Sequence, residues 1–133
     1  MSTCLVGSEM CIRDRYGGKG GSIVNLSSGA AKYGSPGEYV DYAASKAAID
    51  TLTIGLAKEV AEEGIRVNAV RPGFIDTEIH QSGGEPDRME RVRPLVPMKR
   101  VGQAEEVADA IMWLLSDKAS YTTGTILDVS GGR

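Results

Sequence analysis

The hydrophobic pattern of the chain consists of short apolar runs that alternate with longer amphipathic segments. The run at residues 22–28 has a centre, residues 23–26, that is typical of a strand buried on both faces of a sheet. Apolar side chains recur at helical spacing over residues 39–63. Another apolar run at residues 65–70 predicts a second strand. A strand, a helix and a strand in this length predict a parallel crossover.

The predicted helix at residues 39–63 carries two apolar stripes. One stripe comprises Ile49, Leu52, Leu56 and Val60, and the other comprises Ala47, Ile54, Ala57 and Ala61. Two stripes predict two buried faces, one against the sheet and one against a missing helix or a second subunit. Gly64 is predicted to end the helix as a left-handed cap.

The remaining segments complete an α/β pattern. Glycine and proline predict a loop at residues 29–38 and a break of the second strand at residues 71–73. Residues 79–98 are polar and uneven, which predicts a mobile segment with short helices that closes over a substrate. Residues 103–115 predict an amphipathic helix, and residues 124–129 predict a final strand. The apolar stripe of this last helix comprises Val107, Ile111, Leu114 and Leu115.

The composition narrows the possible partners and locations. Hydrophobic residues make up 41% and charged residues 25% of the 133 residues, as in ordinary soluble globular domains. The net charge of −3 argues against nucleic acid or an anionic membrane as the main partner. The only cysteines are Cys4 and Cys11, and the only histidine is His80. We therefore expect a reducing, cytoplasmic location, no metal site, and no Ser-His-Asp hydrolase.

The first residues differ from the rest of the chain. Residues 1–16 carry both cysteines and show no clear period. They also lack the basic start and apolar centre of a secretory signal. We interpret residues 4–15 as a foreign insertion, and the alternative is a divergent, frayed terminus. We therefore divide the chain into an atypical segment at residues 1–16 and one domain at residues 17–133.

Candidate chemistry centres on Tyr42 and Lys46, in the alanine-rich start of the predicted helix. Their spacing is just over one helical turn, so both side chains leave the same face. A free phenol titrates near pH ~10, and a nearby ammonium favours its ionised form. The pair can therefore act as a general acid and base. Ser28 ends the first predicted strand, where open parallel sheets bind ligands, although serines there are also common structural hydrogen-bonding residues.

The serine, tyrosine and lysine in this order resemble the short-chain dehydrogenase/reductase family. The resemblance covers residues 17–133 and depends on five linked features. They are the strand ending in Ser28, Tyr42-x-x-x-Lys46, Arg66-Val67-Asn68, Pro72-Gly73, and the Asp-Val-Ser-Gly-Gly run at residues 128–132. The motifs look most similar to glucose dehydrogenases and 3-oxoacyl-carrier-protein reductases. The resemblance implies a partial Rossmann-like, doubly wound parallel sheet that has only its late strands and helices.

The resemblance also implies catalytic roles. Ser28 would hold the substrate oxygen, Tyr42 would donate or remove a proton, and Lys46 would favour the phenolate and bind the nicotinamide ribose. The separation of Ser28 from Tyr42 is one residue longer than in similar proteins. A loop insertion near Pro36 would absorb this difference. Ser27 is the alternative serine.

Further residues are implied to contact the cofactor, NAD or NADP. Pro72 and Gly73 would let the chain pass close to the nicotinamide. The backbone of Ile75 and the hydroxyl of Thr77 would contact its carboxamide or the pyrophosphate. Asn68 is expected to be structural and to brace the strand end.

The sequence lacks the glycine-rich phosphate loop that opens dinucleotide-binding folds, because the glycines at residues 17–21 have the wrong spacing. The chain therefore resembles the carboxyl-terminal half of the family's domain. The first hypothesis is an NAD(P)-dependent oxidoreductase that acts, when full length, on a small alcohol or carbonyl compound as a dimer or tetramer. The alternative is a truncated, non-catalytic fragment that acts at most as an oligomerising module. For the chain alone we predict no turnover, and the open edge of the first strand predicts self-association.

Overall fold

The computed structural model describes residues 20–76 and 88–133. The strands are β1 (Gly21–Leu26), β2 (Ile65–Pro72), β3 (Ile75–Asp76), β4 (Gly102–Gln103) and β5 (Ile126–Val129). The helices are α1 (Ala30–Tyr33), α2 (Val40–Val60), α3 (Arg88–Val92) and α4 (Ala104–Leu115). Short 3₁₀ turns cover Ala61–Glu63, Arg93–Leu95 and Asp117–Ala119.

The main sheet has the strand order β1-β2-β5, and both pairs are parallel. The predicted crossover through α2 is confirmed, because β1 and β2 pair in register from Gly21 with Ile65 to Leu26 with Val70. Strands β3 and β4 form a separate parallel pair of two residues each. The fold is α/β, with parallel strands and helices consistent with a partial Rossmann-like domain. Within the described ranges, β1 lies at an edge of its sheet.

Helices α2 and α4 cover opposite faces of the main sheet. Val67 packs with Ala57 and Val60 of α2, whereas Val70 packs with Val107 and Leu114 of α4. Side chains three apart on a strand point to opposite faces. The two clusters are therefore separate cores on either side of β2, which is the central strand.

The polar members of the Arg66-Val67-Asn68 motif are structural. The Arg66 guanidinium donates to the carbonyl oxygens of Leu114 (2.6 Å) and Ser116 (3.1 Å), at the carboxyl end of α4. Asn68 is fully buried; its amide donates to the Thr122 carbonyl oxygen (2.9 Å) and accepts from the Thr125 N–H (3.1 Å). The prediction that Asn68 is a structural residue is confirmed.

The predicted stripes of α2 were wrong in part. Its buried residues are Ala43, Asp50, Thr53, Ala57 and Val60. Leu52 and Ile54 are 54% and 40% exposed. Two polar residues take inward positions because they find hydrogen-bond partners on the sheet, as described below. The helix bounds and the left-handed Gly64 cap (φ 73°) are confirmed.

Five other predictions of local structure need correction. The predicted loop at residues 29–38 contains α1, which ends at the left-handed Gly34 (φ 74°). Strand β2 runs on through Pro72, which lacks an N–H but accepts a hydrogen bond from Gly29 through its carbonyl oxygen. Strand β5 starts at Ile126, because Gly124 is left-handed (φ 73°). Strand β1 is half-buried, and Leu115 of the α4 stripe is 40% exposed.

The segment at residues 79–98 is described only from residue 88 onward, where α3 and a 3₁₀ turn agree with the predicted short helices. His80 lies outside the described residues. In the part of the chain that the structure describes, no helix has the length and apolar character to span a membrane.

Candidate functional site

The candidate site lies where β1 and β2 end and α2 begins. After β1 the chain continues alongside β2, because the N–H of Ser27 donates to Val70 O and the N–H of Gly29 donates to Pro72 O, both at 2.9 Å. Ser28 lies between these two bonds. It is therefore held at the carboxyl edge of the sheet, as its place in the sequence predicts.

Lys46 connects α2 to this edge. Its Nζ donates to the carbonyl oxygen of Leu26 at 3.0 Å, and lies 5.7 Å from the centre of the Tyr42 ring. Tyr42 is 45% exposed, so its ring is open to a ligand. The lysine thus contacts the strand that leads to Ser28 and faces the tyrosine one turn away on its own helix.

The two candidate serines have different surroundings. Ser27 is 3% exposed, and its hydroxyl donates to the backbone carbonyl oxygen of Lys46 at 3.3 Å. Ser28 is half-buried, and its Oγ accepts from the N–H of Ala30 at 3.2 Å. The hydroxyl hydrogen of Ser28 is not used in that bond and can be donated to a ligand. The surroundings therefore favour Ser28 over Ser27.

The residues predicted to contact a cofactor differ in which of their groups are available to a ligand. The carbonyl oxygen of Pro72 is bonded to Gly29. A Cβ on Gly73 would lie 2.8 Å from Ser130 Cα, so this glycine is required by its packing against the chain after β5. Ile75 is 8% exposed and belongs to the α4 core, which leaves only its backbone for a ligand. Thr77 lies outside the described residues.

Four charged residues outside the predicted site lie beside it. Arg71 Nε and Nη2 donate to Asp50 Oδ2 at 3.0 and 2.8 Å. Arg71 Nη1 donates to Asp128 Oδ1 at 3.2 Å, and Lys32 Nζ donates to Asp128 Oδ2 at 3.2 Å. An aspartate on the inward face of a helix, four residues after Lys46, was the signal that could have revealed them.

These contacts change the titration of the cations. Burial of the Arg71 guanidinium opposes its charged form, but the hydrogen bonds and charges of Asp50 and then Asp128 together raise its pKa. The hydrogen bond and charge of Asp128 raise the pKa of Lys32. Both side chains therefore stay positively charged at neutral pH.

A second charged pair lies beside β4. An open pocket there is lined by charged side chains that include Arg93, Lys99, Arg100 and Glu106. Arg100 forms two hydrogen bonds to Glu106, at 2.6 and 2.7 Å. The hydrogen bond from Arg100 and, to a smaller extent, the one from the Gln103 N–H lower the pKa of Glu106 from 4.5 to about 2. None of the described residues that we assign to the candidate site lines this pocket.

Comparison with known proteins assigns the chain to a family. A family model described as enoyl-(acyl carrier protein) reductase matches residues 6–133. The chain is 62% identical to the uncharacterized oxidoreductase YgfF of Escherichia coli over 140 aligned positions, covering 100% of this chain and 57% of the relative.

Two other relatives have more specific names. The 3-oxoacyl-[acyl-carrier-protein] reductase FabG of Thermotoga maritima is 46% identical over 86% of this chain and 46% of its own length. The 3beta-hydroxysteroid dehydrogenase 1 of Eggerthella lenta is 48% identical over 84% of this chain and 43% of its own length. The chain spans about half the length of the curated relatives it matches. By its family match, its relatives and its parallel α/β fold, the chain belongs to the short-chain dehydrogenase/reductase family.

Proposed function

We propose that the full-length gene product is an NAD(P)-dependent oxidoreductase that interconverts a small alcohol and its carbonyl compound by hydride transfer. Tyr42 is the general acid and base, Lys46 supports it, and Ser28 orients the substrate oxygen. The observation that carries the proposal is the placement of Lys46 Nζ, 3.0 Å from Leu26 O and 5.7 Å from the Tyr42 ring centre. This one ammonium joins the tyrosine to the edge where Ser28 lies.

The three side chains have complementary chemistry. In reduction the Tyr42 hydroxyl gives its proton to the oxygen of the substrate as negative charge develops there. The Ser28 hydroxyl donates to the same oxygen and so stabilises that charge. Lys46 favours the phenolate that Tyr42 becomes after proton transfer. In the oxidation direction, the phenolate of Tyr42 takes the proton of the alcohol.

We propose a nicotinamide cofactor because the reaction needs a hydride and because Lys46 has free donor hydrogens. A nicotinamide cofactor, when bound, supplies or accepts the hydride, since no side chain can do so. The Lys46 ammonium has three donor hydrogens, of which Leu26 takes one, so it has donors left for the ribose hydroxyls. We also propose that Pro72, Gly73, Ile75 and Thr77 border the nicotinamide. For Ile75 the contact comes from the backbone, because the side chain is in the core.

The substrate class is supported by the relatives. Two of them are named for a 3-oxoacyl group and a 3beta-hydroxysteroid. Both names describe an oxygen on carbon that hydride transfer interconverts between ketone and secondary alcohol. We therefore propose a compound of that kind, handled in the cytoplasm by a homo-oligomer.

The test is turnover of the full-length gene product with each of NAD, NADH, NADP and NADPH. The probes are a 3-oxoacyl thioester, a 3beta-hydroxysteroid and glucose, and the absorbance of reduced nicotinamide is the measurement. We expect Tyr42→Phe, which removes the transferable proton, to lower kcat by about 10²- to 10⁴-fold. The matched control is Tyr121→Phe, because Tyr121 is fully exposed.

Two results would contradict this proposal. One is the absence of any nicotinamide-dependent turnover with all three probes. The other is a Tyr42→Phe variant that keeps the wild-type kcat. Residues 1–133 by themselves, measured in parallel, are expected to show no turnover. Turnover of the full-length gene product is the result that separates the oxidoreductase from the alternative of an oligomerising fragment.

A further inference from the structure

We propose that Arg71, held between Asp50 and Asp128, is a positioning residue that fixes the start of α2, and with it Tyr42 and Lys46, against the carboxyl edge of the sheet. This inference deepens the proposed function and depends on it. It concerns residues that do not touch the reacting atoms and act through the helix that carries Tyr42 and Lys46.

The first step is the geometry of the contact. Arg71 lies in β2 and Asp50 in α2, and their side chains are only 19% and 11% exposed. Two guanidinium nitrogens, Nε and Nη2, donate to the same oxygen of Asp50 at 3.0 and 2.8 Å. Because the guanidinium is planar and rigid, two bonds to one carboxylate restrict both the distance and the direction between helix and strand.

The second step is the position of Asp50 on α2. Tyr42, Lys46 and Asp50 follow one another at intervals of four residues, so they lie along one face of the helix. Lys46 is bonded to Leu26 at the end of β1, and Asp50 is bonded to Arg71 near the end of β2. Two anchors on neighbouring strands fix the rotation of α2 as well as its height above the sheet.

The third step is that further ion pairs link Arg71 to the other side of the site. The remaining donor of Arg71, Nη1, reaches Asp128 of β5, which in turn accepts from Lys32 of α1. Helix α1 begins two residues after Ser28. The charged chain therefore connects the segment that carries Ser28 with the helix that carries Tyr42.

The fourth step is that burying these charges is energetically unfavourable. Asp50 Oδ1 is buried and has no hydrogen-bond partner among the described residues. Replacing a buried ion pair by apolar residues of similar volume is often neutral or stabilising, so such a pair is weak grounds for stability alone. A directional role, in which the pair holds one helix in one orientation, accounts for charges at this position.

The experiment uses the full-length gene product and three variants, Arg71→Lys, Asp50→Asn and Asp128→Asn. A lysine keeps the charge but cannot reach both carboxylates with a rigid fork. We expect kcat to fall by about 10- to 100-fold in Arg71→Lys and Asp50→Asn, since a small misplacement of reacting groups costs this much. The KM for the substrate is expected to change by less than about 2-fold, because Ser28 lies outside α2. The KM for the cofactor is expected to rise together with the fall in kcat, because Lys46 moves with the helix.

Asp128→Asn keeps the Asp50 contact intact and is expected to lower kcat less than the other two variants. It also keeps the inference testable if Arg71→Lys does not fold. The double variant Asp50→Asn with Arg71→Lys is expected to be no worse than the more damaged single variant, because both act through one contact. The control is Lys118→Gln, which removes a charge from an exposed side chain in the 3₁₀ turn after α4 and should leave kcat unchanged.

The outcomes separate this inference from the proposed function. If the wild-type protein shows no turnover with any probe, the proposed function fails. If the wild-type protein turns over and the folded variants keep its kcat, only the positioning role is overturned. A rise in KM at constant kcat would also overturn it, because that pattern indicates lost binding and not a misplaced Tyr42.

Discussion

Helix α2 meets the sheet by different interactions along its length. In its first part, residues 40–53, called the polar half here, polar side chains reach the strands: Lys46 bonds to Leu26, Asp50 to Arg71, and Thr53 Oγ1 accepts from Asn25 Nδ2 at 2.9 Å. In the second half the contacts are apolar. Ala57 and Val60 pack against Val67, with Ile23, Leu56 and Ile65 around them.

This difference separates placement from stability. Apolar burial stabilises in proportion to the area removed from water and has no preferred direction. Hydrogen bonds and ion pairs contribute less net free energy, but they require a particular distance and angle. The second half of α2 therefore holds the helix on the sheet, and the first half determines where the side chains beside the candidate site lie.

The largest loss of stability is expected when the ion pair of the polar half, Asp50 with Arg71, is broken. Asp50→Leu leaves the Arg71 guanidinium buried with only Asp128 as a partner. We expect the free energy of unfolding to fall by about 3 kcal/mol, the lower end for a broken buried pair because one bond remains. Urea denaturation measures this change. A loss no larger than that of Asp50→Asn, which also removes the charge but retains an oxygen acceptor, would show that the hydrogen bonds to Arg71 add nothing beyond the charge.

A smaller loss is expected in the apolar half. Val67 is fully buried, and Val67→Ala should lower the free energy of unfolding by about 2 kcal/mol through lost burial and the cavity left behind. The control on the same helix-sheet layer is Leu52→Ala, since Leu52 is 54% exposed and should change stability by no more than about 0.5 kcal/mol. A Leu52 effect as large as that of Val67 would instead indicate that the outer face of α2 is covered by another helix or subunit.

Thr53→Val tests a single polar contact with little change of shape. The methyl group that replaces the hydroxyl cannot accept from Asn25 Nδ2, so a half-buried donor loses its partner. We expect a loss of about 1 kcal/mol in the free energy of unfolding. Thr51→Val is the matched control, because the exposed Thr51 bonds only to Ala47 of its own helix. Equal effects at the two positions would remove the distinction between bonds to the sheet and bonds within the helix.

The smallest change in stability is expected at the exposed ion pair between Arg100 and Glu106. The pKa of Glu106 is lowered from 4.5 to about 2 in the folded state. A lowered folded-state pKa stabilises the fold above the unfolded value, so the Arg100–Glu106 contribution is complete above about pH 4.5 and is lost as the pH falls toward 2. Glu106→Gln should remove this dependence while changing stability little at neutral pH. The measurement is the free energy of unfolding of the wild type and of Glu106→Gln as a function of pH. Identical pH dependence of the two proteins in the acid range would contradict this role of the Arg100–Glu106 pair.

Some features of this protein were determined by short-range patterns. The extent of α2, its Gly64 cap, the parallel pairing of β1 and β2, and α4 follow from apolar periodicity and glycine placement, which act over a few residues. The common face of Tyr42 and Lys46 follows from helix geometry alone. The resemblance to the short-chain dehydrogenase/reductase family depended on the order of the same motifs, and the comparisons confirm it.

Other features were decided only by the tertiary structure. The inward face of α2 includes Asp50 and Thr53, because their partners Arg71 and Asn25 lie 21 and 28 residues away and are brought close by the crossover. Hydrophobic periodicity favours Leu52 for that position, since it measures apolar character and not the presence of a distant hydrogen-bond partner. Burial is therefore set by which polar groups can be paired at the sheet, and pairing across such separations exists only once the strands are assembled.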